Sequence, residues 1–365
     1  MKCESDSRVV CAADRIGGLR PYSRPVEDPS ISLYLDNNEG SPPSDQLLGA
    51  LNTLQASMLA RYPDAGPIET MIAQEFGVDP SRVILTNGGD DAIDRICRSV
   101  LGPGDSMLTH TPGFVMIQRY AQLAGSSIET IPWIDDAFPI DAFLQGIQDR
   151  TNLVALISPS NPTGRVIDRE SIRAIAERAR AGGALLMLDQ AYIEFADDDP
   201  IEDVLDLENV VIVRTFSKAM GLAGLRVGYA IGPTRVVEWM RTVGGPYPVS
   251  AVSIELAQEA FLGRVDRDPL INRTIDHRSL LTQLLESLGA VVLPSQANFV
   301  LVKFQDAGSV YQGLLERGIR VRGFGAEPQL KDMLRITVPA DPGNFDFLMN
   351  SIRDVLPSIG ATNNV

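Results

Sequence analysis

Short apolar runs alternate with stretches whose apolar residues fall three or four apart, and this rhythm predicts strands exchanging with helices. Val83-Ile84-Leu85-Thr86 reads as a strand, and Ala92, Ile93, Ile96, Cys97 and Val100 then return at helical spacing. Leu153-Val154-Ala155-Leu156-Ile157 is a second strand, followed by a turn at Asn161-Pro162-Thr163-Gly164 and a helix over 168–181. Ala184-Leu185-Leu186-Met187-Leu188 is a third. Asn209 to Thr215 is a fourth, an apolar and β-branched run, as suits a strand covered on both faces of a parallel sheet. Beyond about 260 the rhythm changes. A helix over Ile271 to Leu288 precedes strands at Val291-Val292-Leu293 and Phe299-Val300-Leu301-Val302. A helix over 308–317 and a strand Leu334-Arg335-Ile336-Thr337-Val338 complete it.

The predicted class is α/β: a large domain with a mostly parallel sheet covered by helices, plus a smaller α+β domain. Residues 1–45 are expected to form an amino-terminal arm partly joining the small domain, 46–260 the large domain and 261–365 the small one. Ligands in such folds gather beyond the carboxyl ends of the strands. No internal repeat is visible, and the tail from Gly360 is expected to fray.

Composition narrows the chemistry. A length of 365 residues with 44% hydrophobic and 22% charged residues is ordinary for a globular enzyme. A net charge of −15 repels a phosphate backbone, so nucleic acid is not an expected partner. Cys3, Cys11 and Cys97 make no disulfide framework and no metal spacing, so no metal is expected. The amino terminus carries no apolar leader and no segment is long enough to span a bilayer, so a cytoplasmic, membrane-free protein is expected. With only His110 and His277 available, acid–base work at neutral pH falls to another group, and a lysine of lowered pKa is the natural candidate.

Lys218 follows the fourth strand in Thr215-Phe216-Ser217-Lys218, with a glycine-rich run and Arg226 beyond it. A lysine there can form a Schiff base with an aldehyde cofactor while neighbouring hydroxyls and a cation hold that cofactor's phosphate. Asn87-Gly88-Gly89-Asp90, between a strand and a helix, offers backbone N–H groups to a phosphate or is simply a helix start with Asp90 as its cap. Asp189 ends an apolar strand, as a partner for a pyridinium nitrogen or as a turn residue. Tyr192 and Asn161 are candidates to face the ring's oxygen, and Phe114 to stack on a flat ring; core packing and turn chemistry are the competing readings. Arg335, inside an apolar strand, suits a bidentate grip on an anion unless it points outward.

Taken together, Arg61-Tyr62-Pro63-Asp64, Asn87 to Asp90, Asn161 to Gly164, Asp189 to Phe195, Arg214 to Ala230, Pro294 to Val302 and Leu334 to Val338 resemble the pyridoxal-phosphate aminotransferases of fold type I. The closest group is that of the histidinol-phosphate aminotransferases, and the likeness runs from about residue 33 to 356. It implies pyridoxal 5'-phosphate as cofactor and Lys218 as the Schiff-base lysine and proton shuttle. It pairs Asp189 with the pyridine nitrogen and sets Asn161 and Tyr192 at the ring oxygen, with Phe114 stacking. Gly89, Asp90, Thr215, Ser217 and Arg226 would hold the phosphate. Tyr62 would reach the neighbouring subunit's cofactor, implying a homodimer with shared sites, while Arg335 and Arg322 would bind the substrate's anionic end.

The departures cluster on the substrate side. Asn38-Glu39-Gly40-Ser41-Pro42-Pro43 stands where the family usually has Asn-Glu-Asn-Pro-Tyr-Gly, so the expected tyrosine is missing. Phe114 replaces a common tyrosine, Gln190 a glutamate and Pro248 an asparagine. The resemblance implies transfer of an amino group between an amino donor and a 2-oxo acid acceptor. A decarboxylase or specialised biosynthetic enzyme on the same scaffold is the alternative, since Thr111-Pro112-Gly113-Phe114 resembles the phosphothreonine decarboxylase branch. A cofactor-binding protein without catalysis is the third reading.

Overall fold

The computed structural model describes residues 12–22, 26–134, 137–325 and 327–362; Cys3 and Cys11 lie outside them. Among the described residues, twelve strands form two sheets. They are β1 (Leu33–Leu35), β2 (Val83–Thr86), β3 (Ser106–Thr111), β4 (Ser127–Pro132), β5 (Thr151–Ile157), β6 (Leu185–Asp189), β7 (Val210–Thr215), β8 (Gly228–Ile231), β9 (Val291–Val292), β10 (Phe299–Lys303), β11 (Ile319–Gly323) and β12 (Met333–Thr337).

The larger sheet runs in the order β2-β8-β7-β6-β5-β3-β4 and is parallel except for β8, which pairs antiparallel with both neighbours. Its strands alternate between two buried faces. Val154, Leu156, Leu186, Leu188, Val210 and Ile212 enter one core. Leu153, Ala155, Ile157, Met187, Val211 and Val213 enter the other. Burial on both sides explains why these strands carry no polar alternation. The helix Gly88–Val100 packs on the second face through Ala92, Ile93, Ile96 and the buried Cys97. Asn87, not Asp90, stands at its cap, and the Asp91 carboxylate accepts the Asn87 N–H at 2.9 Å.

The smaller sheet has the order β1-β11-β12-β10-β9. Its edge strand β1 comes from the amino-terminal region and pairs in parallel with β11, Leu33 opposite Ile319 and Leu35 opposite Val321. Leu33, Leu35, Val300, Val302, Ile319, Val321, Leu334 and Ile336 form its core with the helices Ala307–Glu316 and Pro342–Thr362. That last helix carries the chain through the tail expected to fray, as far as Thr362. Among the described residues no helix is long and apolar enough to cross a membrane.

Candidate active site

The strands β2, β3, β5, β6 and β7 end on the same side of the larger sheet, so the turns that follow them meet there. After β7 the chain buries Thr215, Phe216 and Ser217 and then presents Lys218, half-buried. The Lys218 Nζ donates to the Asn37 carbonyl at 2.9 Å and lies 5.6 Å from the centre of the Tyr192 ring. Burial, reinforced by the Arg335 charge and to a lesser extent Arg226, pulls the ammonium down to a pKa of about 8; Glu39 and Asp90 oppose them.

Beside it is a cup suited to a phosphate. The helix Gly88–Val100 opens on Gly88 with φ +77°, and a Cβ there would sit 2.7 Å from the Arg226 Nη2. A Cβ on Gly228 would lie 2.7 Å from the Gly89 nitrogen, so β8 and the helix start approach as closely as glycine allows. The Thr215 Oγ1 donates to the Ser217 Oγ at 3.0 Å, and Arg226 reaches Asp90 Oδ2 at 3.4 Å. A guanidinium, two hydroxyls and the free N–H groups of a helix start make a concave anion site. Burial raises the Asp90 carboxyl, against the pull of Arg226 and Lys218.

Asp189 closes β6, 4% exposed, its Oδ1 accepting the Ala191 N–H at 3.0 Å. Burial pushes this acid up to about 7, Asp90 adds to the rise and Lys218 counters it. A buried acid with one backbone donor is suited to a cationic ring nitrogen. The Tyr192 hydroxyl accepts from the Asn38 Nδ2 at 3.1 Å and the Asn161 Nδ2 at 3.3 Å, and burial raises its pKa. Phe114 is half-buried, packed against the core that holds Ile157, Met187 and Val213. Phosphate cup, buried acid, hydroxyl pair and amine together fit a phosphorylated pyridine aldehyde.

Arg335 is buried rather than outward-pointing. Its Nη1 donates to the Asn161 Oδ1 at 2.5 Å and its Nη2 to the Asp36 carbonyl at 2.6 Å, while its buried Nε has no partner among the described residues. Burial lowers the guanidinium to about 10, with Arg322 pushing the same way and Tyr192, Asp36 and Tyr22 opposing. Arg322 stands opposite Arg335 in the β11–β12 ladder. Two cations side by side on one sheet favour an anion between them.

Tyr62 is not joined to this network. It is 80% exposed and stacks on Tyr247, ring centres 4.5 Å apart. His110 is structural: its Nε2 accepts the Ile157 N–H at 3.3 Å, its Nδ1 lies 3.2 Å from the Pro112 carbonyl, and burial lowers it to about 4. Gln190 still holds Arg214, accepting from its Nε at 3.1 Å and Nη2 at 2.9 Å, and Asp199 supplies the missing charge through an ion pair.

Sequence reasoning tied residues 38–43 to the substrate side but missed Asp36, Asn37 and Asn38 as sources of site atoms. Asn38, at φ 54°, donates to Tyr192, receives a hydrogen bond from Asn298 at 3.1 Å and is braced by Thr337. Much of its contribution is backbone carbonyl, which no residue letter announces.

A family model described as aminotransferase class I and II matches residues 30–352. A histidinol-phosphate aminotransferase of Thermoanaerobacter sp. (strain X514) is 34% identical over 350 residues, covering 94% of this chain and 98% of its own. Among solved structures, histidinol-phosphate aminotransferase from Sinorhizobium meliloti in complex with pyridoxal-5'-phosphate superposes with a TM-score of 0.82 at 26% identity, over 90% of this chain and 92% of that one. The L-threonine-O-3-phosphate decarboxylase from Porphyromonas gingivalis gives 0.75 at 23% identity, over 89% of this chain and 99% of that one, a likeness of fold alone.

Proposed function

The chain belongs to the class I and II aminotransferases, a pyridoxal-phosphate-dependent family, and on that premise we propose that it moves an amino group between an amino compound with an anionic end and a 2-oxo acid. The observation carrying this reading is an amine of lowered pKa, Lys218, between a phosphate cup and a buried arginine. Gly89, Asp90, Thr215, Ser217 and Arg226 hold the cofactor's phosphate, Asp189 its ring nitrogen, and Asn161 and Tyr192 its ring oxygen, with Phe114 against the ring. Bound there, the cofactor supplies an electron-poor ring that takes up negative charge from the substrate carbon.

Lys218 would hold the cofactor and is the group placed to move a proton at its Nζ; an amine with a pKa of about 8 both gives and accepts protons near neutrality. Arg335, with Arg322, grips the anionic end and fixes the substrate's reach. The names of the relatives make histidinol phosphate the first substrate to test. In this reading the enzyme works in the cytoplasm as a homodimer, with the exposed Tyr62 of each subunit completing the other's site.

The test is an amino-donor and acceptor screen read by the cofactor's visible spectrum, opening with histidinol phosphate and 2-oxoglutarate. Transfer between that pair is expected. Inactivity on it with turnover of another amino acid overturns the substrate, and carbon dioxide released without need of an oxo acid overturns transamination.

A further inference from the structure

Residues 36–43 cross the turn that carries Lys218 with almost no space between the two backbones. A Cβ on Gly40 would lie 1.8 Å from the Lys218 carbonyl oxygen, and one on Gly221 1.9 Å from that of Ser41. The crossing segment is busy at its start, where Arg335 uses the Asp36 carbonyl, Lys218 the Asn37 carbonyl and Tyr192 the Asn38 amide. Beyond Asn38 it buries no side chain of its own: Glu39 and Pro42 are exposed, and Gly40, Ser41 and Pro43 half-buried. Something else must hold it down.

One guanidinium does. Arg267, at the end of the short 3-10 turn Arg264–Arg267, donates from Nη2 to the Ser41 carbonyl at 2.8 Å, from Nη1 to the Pro42 carbonyl at 3.2 Å and from Nε to the Ala219 carbonyl at 3.2 Å. No carboxylate among the described residues pairs with it. A charged fork with all three nitrogen positions used on neutral carbonyls of two segments is a geometric clamp rather than an ion pair. We propose that Arg267 is a positioning residue, which rivets Ser41-Pro42 to the turn after Lys218 and keeps the segment closed over the amine.

The proposal rests on the reading of Lys218 as the catalytic amine, so two measurements are made on cofactor-free protein and one on the loaded enzyme. In Arg267→Ala, hydrogen exchange across 37–43 is expected to quicken by roughly tenfold or more while β6 and β7 stay protected. The Lys218 amine, titrated through the pH dependence of its arylation, is expected to move upward as water enters. Arg335 and Arg226 face that amine as cations, Glu39, Asp90 and Asp189 as acids, and Tyr192 as a phenol, and none of them is altered. On the loaded enzyme, KM for the amino donor should rise roughly tenfold with a smaller fall in kcat. Arg267→Lys, reaching one carbonyl at a time, should fall between. A folded Arg267→Ala with unchanged exchange and an unchanged Lys218 titration overturns the proposal. If Arg267→Ala does not fold, Arg267→Lys is read by the same criteria, and failure of both to fold makes the role one of global stability and overturns it too. Absence of transamination in the wild type would sink the functional reading and leave the two cofactor-free measurements standing.

Discussion

At the scale of single residues, the site consists of ionisable groups whose pKa values burial displaces from those they have in water. The Lys218 ammonium is depressed to about 8 from 10.5, so between those values the unfolded chain binds more protons there than the folded one. Stability of the cofactor-free protein should therefore rise with pH across that window, and the rise should disappear in Lys218→Met. Denaturant melts at pH 7.5 and pH 10, wild type against variant, check it. Asp189 is displaced the other way, from 3.8 to about 7, so the folded state keeps the proton longer. Its contribution to stability is present at low pH and lost as pH climbs from about 4 to 7, and Asp189→Asn should flatten that slope. The same variant should cut kcat on the order of 100-fold by removing a preorganised charge. Arg335→Ala should cost roughly 2–5 kcal/mol in kcat/KM, because the substrate's anion loses a desolvated partner. These residues were legible from sequence because each ends, or interrupts, an apolar run. Asn37 and Asp36 were not, since what they offer is a carbonyl.

At the scale of elements, strands written as aliphatic runs announced themselves, while several that carry polar groups or glycine, or are very short, did not. β3 was unreadable because Ser106, Thr109 and His110 are polar yet buried; Thr109 and His110 bond within the sheet and its loops, while the Ser106 hydroxyl has no partner among the described residues. β4 is a half-exposed edge, and β8 has four residues and opens on a glycine pressed against the Gly88–Gly89 turn. β1 is shorter still and pairs with a strand nearly three hundred positions away, a partner no local pattern can reveal. The contact between residues 36–43 and the Lys218 turn carries its own prediction. Gly40→Ala forces two backbones apart and should destabilise the protein by about 1–3 kcal/mol, as overpacking does. A melting curve measures the stability loss, and a rise in KM for the amino donor would show that the segment has shifted with it.

For the molecule as a whole, Tyr62 and Tyr247 present a stacked, exposed aromatic pair, the surface on which the proposed shared site rests. Sedimentation should find a homodimer at assay concentration, and a fully active monomer would refute shared sites. Tyr62→Phe should weaken cofactor retention by about 1 kcal/mol if one hydrogen bond across the interface is lost, measured by cofactor release on dilution. The pairing of β1 with β11 has a consequence for synthesis. A chain leaving the ribosome makes residues 33–43 long before the strands they dock on, with 299 positions between Asp36 and Arg335. The larger sheet can fold while the early segment waits, because domains gather as they emerge. A product terminated before Ile319 would retain Lys218 and the groups of the phosphate cup but leave its first strand without a dock. Premature termination would then leave a chain that keeps the residues of the cup and lacks both Arg322 and Arg335.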